Sequence, residues 1–104
     1  MTTELPAPPI DADADLTGYE YMPLHGDRLR ASDTNGRATD AEFRAAVNLW
    51  WSAWKQVPAS SLPDDDVVLC KLADLGRDIK TWRKVKPVAM ANFVKCSDGR
   101  LYHR

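Results

Sequence analysis

The sequence predicts a mainly α (α+β) domain, a winged-helix-like set of three helices closed by a C-terminal β-hairpin wing. Three observations predict it. The stretch TDAEFRAAVNLWWSAWKQVP, Thr39 to Pro58, repeats its apolar residues with helical period. Two further helical stretches follow, joined only by Gly76 and Arg77, which suits the turn of a helix-turn-helix. Last, VKCS and RLYH flank Asp98-Gly99, the two-residue loop of a type I′ hairpin. In this arrangement the third helix is the element that enters a DNA major groove.

Residues 1–18 are rich in Pro, Ala and Asp and nearly free of large apolar side chains. Such a segment buries too little surface to offset its ordering entropy, so a disordered acidic tail is expected, with the domain proper at 19–104. From Tyr19 to Arg30 an extended segment against the core is expected, because Pro23 forbids a regular helix interior. Ala31 to Ala38 has loop chemistry, with one short turn at Ser32–Asp33.

Thr39 caps the first helix and Glu42 completes a capping box. At about 100° per residue, Phe43, Val47, Trp50 and Trp54 fall on one line. Ala46, Leu49, Trp51 and Ala53 flank it, and Arg44, Asn48, Ser52 and Lys55 lie opposite. An apolar arc of roughly 200° exceeds the stripe of a surface helix, so packing on two sides is expected, with Trp50 and Trp54 at the centre of the core. Ser61–Leu62 reads as a short strand. Asp64, Asp65 and Asp66 place carboxylates at the N-terminus of a second helix, which Gly76 closes. Asp78 caps the third, whose line Ile79, Trp82, Val85, Ala89 and Phe93 runs unbroken across Pro87 and predicts one continuous, kinked helix.

Across a two-residue hairpin loop, Ser97 faces Arg100, Cys96 faces Leu101 and Lys95 faces Tyr102. Val94, Cys96, Leu101 and His103 then pack inward, leaving Lys95, Ser97, Arg100 and Tyr102 for a partner. Because the chain stops at Arg104, directly behind this strand, it is expected to be one domain of a longer protein.

Charge is divided unevenly. Residues 1–20 carry five acidic and no basic side chains, whereas from Gly76 onward eight basic residues face only Asp78 and Asp98. A basic surface on a chain of net charge −1 suits a polyanionic partner, and the acidic tail is a candidate to fold back on it. No apolar run approaches a membrane span and no signal peptide is visible, so a cytoplasmic protein with Cys70 and Cys96 reduced is expected.

The motifs YMPL with DRLR after it, EFRAAVNLWWSAWKQVPASSLPDDD, GRDIKTWRKVKP and FVKCSDGRLYHR together resemble the YdaU-like family of domains of unknown function. That family occurs in bacterial and prophage proteins and is related to N-terminal domains of phage replication proteins. The resemblance covers about residues 19–104. It implies a winged-helix-like fold and an association with mobile elements, but no activity and no set of functional residues.

Nothing in the sequence supports catalysis. His25 and His103 adjoin no Ser or Cys in a nucleophile motif, and no Gly-rich phosphate loop is present. His25, Cys70, Cys96 and His103 lack the paired spacing of a zinc site, so no metal or cofactor is expected. The expected function is a non-enzymatic nucleic-acid-binding module for duplex DNA, in regulation or replication. Lys80, Arg83 and Lys84 of the third helix would meet bases or phosphates, while Lys95, Arg100 and Tyr102 of the wing would hold the backbone. The alternative is a protein-interaction or homodimerisation module that keeps the fold without DNA binding.

Overall fold

The computed structural model describes residues 5–22 and 24–103, and the side chains of Asp33 and Thr34 are outside that description. The first four residues of the expected tail, Pro23 with its helix-breaking role, and Arg104 all lie outside the described residues. The fold is mixed α+β. Its helices are α1 (Gly26–Ala31), α2 (Asp33–Arg37), α3 (Asp40–Trp54), α4 (Asp66–Leu72) and α5 (Ile79–Ala89). Its strands are β1 (Ser61–Leu62), β2 (Phe93–Lys95) and β3 (Leu101–His103). The strands form one antiparallel sheet in the order β1-β3-β2.

The N-terminal part departs most from expectation. Residues 5–18 hold no helix or strand, yet they touch the body. The Pro6 carbonyl accepts from Ser97 N–H at 2.8 Å, and the Ala14 carbonyl from Ala59 N–H at 2.9 Å. Lys55 Nζ donates to the carbonyls of Thr17 and Tyr19, and the Tyr19 ring meets Trp54 edge-on at 6.4 Å. The expected extended segment becomes α1 after Leu24. Asp27 in its first turn and Arg28 and Arg30 in its last complement the helix dipole. The expected loop becomes α2, because the Ser32 hydroxyl accepts from Asn35 N–H at 3.2 Å and so serves a helix start.

α3 begins as expected. Thr39 Oγ1 accepts from Glu42 N–H at 3.2 Å and Glu42 Oε1 accepts from Thr39 N–H at 2.8 Å. Its burial is rotated by about a third of a turn from the expected line. Ala45, Ala46, Leu49 and Ala53 are buried, whereas Trp50 and Trp54 are half-buried and Val47 and Trp51 exposed. Volume decides this. Three alanines let α4 and α5 approach closely, and the space is filled from across by Trp82 of α5, which is fully buried with Leu62, Leu69, Cys70 and Val85 around it.

α4 is capped by Asp65, whose carboxylate accepts from Val67 N–H at 2.9 Å. It ends earlier than expected, at Leu72, and Gly76 is not its closing residue. Asp74 takes the left-handed conformation, φ 65°, and its N–H donates to Lys71 O at 3.0 Å while Leu75 N–H donates to Cys70 O at 3.0 Å. This is a Schellman motif. Asp tolerates a positive φ better than most residues, and here its carboxylate also meets Arg44 at 2.8 Å. α5 is capped by Asp78 and continues through Pro87 as expected, but it stops at Ala89, so Phe93 belongs to β2.

One backbone position yields a testable consequence. Ser60 has φ 65°, its N–H donates to Ala53 O at 2.9 Å, and its carbonyl accepts from His103 N–H at 3.0 Å. It turns the chain from the end of α3 into β1 and also holds β3. Any residue with a Cβ is strained in this conformation, and a β-branched one is strained more than serine. Ser60→Val is therefore expected to lower stability by about 1 kcal/mol in urea denaturation, while Ser60→Gly is tolerated. Equal stability of Ser60→Val and the parent would refute the assigned conformation.

Candidate nucleic-acid interface

The six candidate side chains fall into two groups, separated by the hairpin. The observed pairs are Phe93 with His103, Val94 with Tyr102 and Lys95 with Leu101, one residue away from the expected register. Cys96 N–H donates to Arg100 O at 2.9 Å and Gly99 N–H to Cys96 O at 2.9 Å, so the loop is Ser97-Asp98-Gly99, three residues long. Gly99, φ 84°, supplies the left-handed position that a three-residue loop needs. Asp98 selects this loop. Its carboxylate accepts from Arg100 N–H at 3.0 Å and from the Tyr102 hydroxyl at 2.6 Å.

A one-residue slip reverses which face a side chain takes. Tyr102 is therefore fully buried, not presented to a partner, and the expected outward role of this residue is corrected. Burial, and then the bond to Asp98, push its hydroxyl up to about 12. The same bond, with that from Arg100 N–H, holds the Asp98 carboxyl below its usual range. Arg100 is half-buried and also turned inward. Its Nε donates to Ser61 Oγ at 2.9 Å and its Nη2 to Gln56 Oε1 at 3.2 Å, pinning the hairpin to β1 and the end of α3. Lys95 stays exposed but lies 3.3 Å from the Asp64 carboxylate.

α5 presents the other three as expected. Its buried positions are Trp82, Val85 and Ala89, and its exposed positions are Lys80, Lys84 and Pro87, about one turn apart on a single line, with Arg83 exposed beside them. None of the three cations makes a hydrogen bond or ion pair among the described residues. Asp78 at the helix start is held low in pKa by its bonds from Thr81, with Lys80 and Lys84 adding to the effect. The neighbouring Lys86 is excluded from this line. It donates to Asp66 Oδ1 at 2.7 Å, the same oxygen that accepts from Trp82 Nε1 at 3.0 Å, and these bonds hold the Asp66 carboxyl below its usual range.

The sequence could not distinguish Lys86 from Lys80 and Lys84, since the distinction comes from α4 across the helix pair. Likewise, the Ser-Asp-Gly tripeptide was the available sign of the longer hairpin loop. Among the described residues no three His, Cys, Asp or Glu side chains group to hold a metal ion, and no helix is long and apolar enough to cross a membrane.

Comparison with known proteins gives one result. The model of a family described as protein of unknown function (DUF1376) matches residues 20–104. No curated protein and no solved structure matches the chain.

Proposed function

From the premise that this chain belongs to the DUF1376 family of proteins of unknown function, we propose that it is a non-enzymatic, winged-helix-like module that binds duplex DNA. The observation that carries the proposal is the exposed, unpaired cations Lys80, Arg83 and Lys84 on α5. The element order supports it: a helix, a short strand, two helices and a hairpin whose second strand pairs with the first. α5 is then the helix laid along the groove, and Lys95 an accessory contact once released from Asp64. The prophage association implied by the YdaU-like resemblance, a role in replication or regulation, and a cytoplasmic location with Cys70 and Cys96 reduced belong to the same proposal.

The test is a titration with random-sequence duplex DNA at several salt concentrations. With three phosphates neutralised, the log–log slope is expected to be about −2.7. Lys80→Ala with Lys84→Ala should reduce its magnitude by about 1.8 and weaken binding to all sequences alike. Arg30→Ala with Lys71→Ala removes two exposed charges from α1 and α4 and should do far less. Equal losses from both pairs, or no binding at low salt, would reject the DNA assignment. The second reading, a protein-interaction or dimerisation module, is favoured by the exposed apolar side chains of Val47 and Trp51 on α3, and a concentration-dependent mass would support it.

A further inference from the structure

Residues 5–20 lie along the body as a strap whose only charged side chains are acidic. Asp11, Asp13, Asp15 and Glu20 are exposed, and the segment holds no Lys or Arg. The body grips this strap through backbone carbonyls. Ser97 N–H, in the hairpin loop, donates to the Pro6 carbonyl at 2.8 Å. Ala59 N–H, just before β1, donates to the Ala14 carbonyl at 2.9 Å. Beyond the end of α3, Lys55 Nζ donates to the carbonyls of Thr17 and Tyr19 while lying 5.0 Å from the centre of the Trp51 ring. The side chains of Pro8, Ile10, Ala14 and Leu16 are half-buried. A few contacts thus hold a long segment without helix or strand, and every ordered residue loses backbone entropy. Such a segment belongs to the least stable part of a fold and can open while the body stays folded.

Where the strap docks gives it a consequence. Its Pro6 end covers the hairpin loop, which in the DNA reading above is the tip of the wing. Asp11 and Asp13 lie between the Pro6 and Ala14 anchors, so their charge is held in the stretch from the hairpin loop to the start of β1. Charges separated by less than about 10 Å, the screening length at 0.1 M salt, still act on one another through water. A phosphate approaching the wing therefore meets both the strap's backbone and its negative charge. We propose that residues 5–20 are an autoinhibitory strap, which competes with duplex DNA for the hairpin and lowers the affinity of the module. The inference rests on the DNA reading.

The test titrates full-length proteins with random-sequence duplex DNA at low and at moderate salt. They are the parent, Asp11→Asn with Asp13→Asn, and Lys55→Met. The Asn pair keeps the carbonyl anchors and removes two exposed charges. It is expected to bind about fourfold more tightly at low salt, about twofold for each charge standing roughly 10 Å from a phosphate. The gain should shrink as salt rises. Lys55→Met removes an anchor of the strap together with a cation. Loss of a cation alone weakens binding to a polyanion, whereas release of the strap strengthens it, so tighter binding by at least about twofold is expected. Without DNA, the Ala59 amide should exchange faster in Lys55→Met than in the parent, as followed by NMR. Equal affinities of the parent and the Asn pair, weaker binding by Lys55→Met, or an unchanged Ala59 exchange rate overturns the strap and leaves the DNA reading standing. No binding by any of the proteins at low salt rejects the DNA reading and the strap with it. If Lys55→Met proves unstable in urea, the Asn pair, changed only at exposed sites, decides the matter.

Discussion

Trp82→Ala is expected to destabilise the domain by about 3–5 kcal/mol, the largest effect of any single tryptophan truncation in the chain. Trp82 is wholly buried at the meeting of α3, α4 and α5, where its neighbours Leu49, Leu69 and Val85 are buried as well and cannot collapse far into the space it leaves. The substitution also strands the Asp66 carboxylate, which keeps only its bond to Lys86. Against a total stability of about 5–15 kcal/mol, this is enough to leave a large fraction unfolded. Trp51→Ala, at an exposed site on α3, should shift the urea midpoint far less. The two midpoints, measured side by side, decide where the core lies. A Trp82→Ala variant within about 1 kcal/mol of the parent would refute the packing described.

Tyr102→Ala is expected to cost about 3–5 kcal/mol as well, for a different reason. In the register read from sequence, Tyr102 stands on the outer face of the wing, and its truncation would fall within about 0.5 kcal/mol of neutral. In the observed register it is fully buried on the central strand and its hydroxyl donates to Asp98. The stability of this one variant therefore distinguishes the two-residue from the three-residue loop. Alkaline titration offers a second check. The hydroxyl is raised from 10.0 to about 12 in the folded state, so the protonated form is the one folding favours. The stability this contributes is present in full below the unfolded value and is lost as pH rises through the folded one. Unfolding that begins at high pH in the parent and is absent in Tyr102→Phe is the expected result.

Much of the local structure was legible because it depends on neighbours in sequence. Thr39 with Glu42, Asp65 before its valines, and Asp78 before Thr81 cap their helices through contacts two or three residues away. The dipeptide Ser61–Leu62 forms the expected short strand, and the outer line of α5 follows from its period alone. What escaped depends on contacts distant in sequence. Trp50 offers far more apolar area to bury than Ala46, but close helix packing prefers the smaller side chain, so the buried line of α3 could not be read without knowing that Trp82 fills the gap. Asp98-Gly99 is compatible with both hairpin loops, and the bond from a buried tyrosine four residues on decides between them. Arg100 looked like a free cation until Ser61 and Gln56, far back in the chain, were found around it. For the DNA proposal, the legible part is the part that survives: three cations of one helix.

The middle place of β3 in the sheet bears on how the chain acquires its structure. β3 is the last of the described elements in sequence, yet β1 and β2 each pair with it and not with each other. Its partner β1 lies about 40 residues earlier. α3, α4 and α5 form from local contacts and can gather around Trp82 early, but no strand has a partner until residues 101–103 arrive. Closing that long loop carries an entropic charge that local helix formation does not, and non-local pairings of this kind slow folding. On a ribosome, the same topology holds the sheet open until the end of β3 has emerged, with the helical cluster waiting as the template on which the final strand condenses.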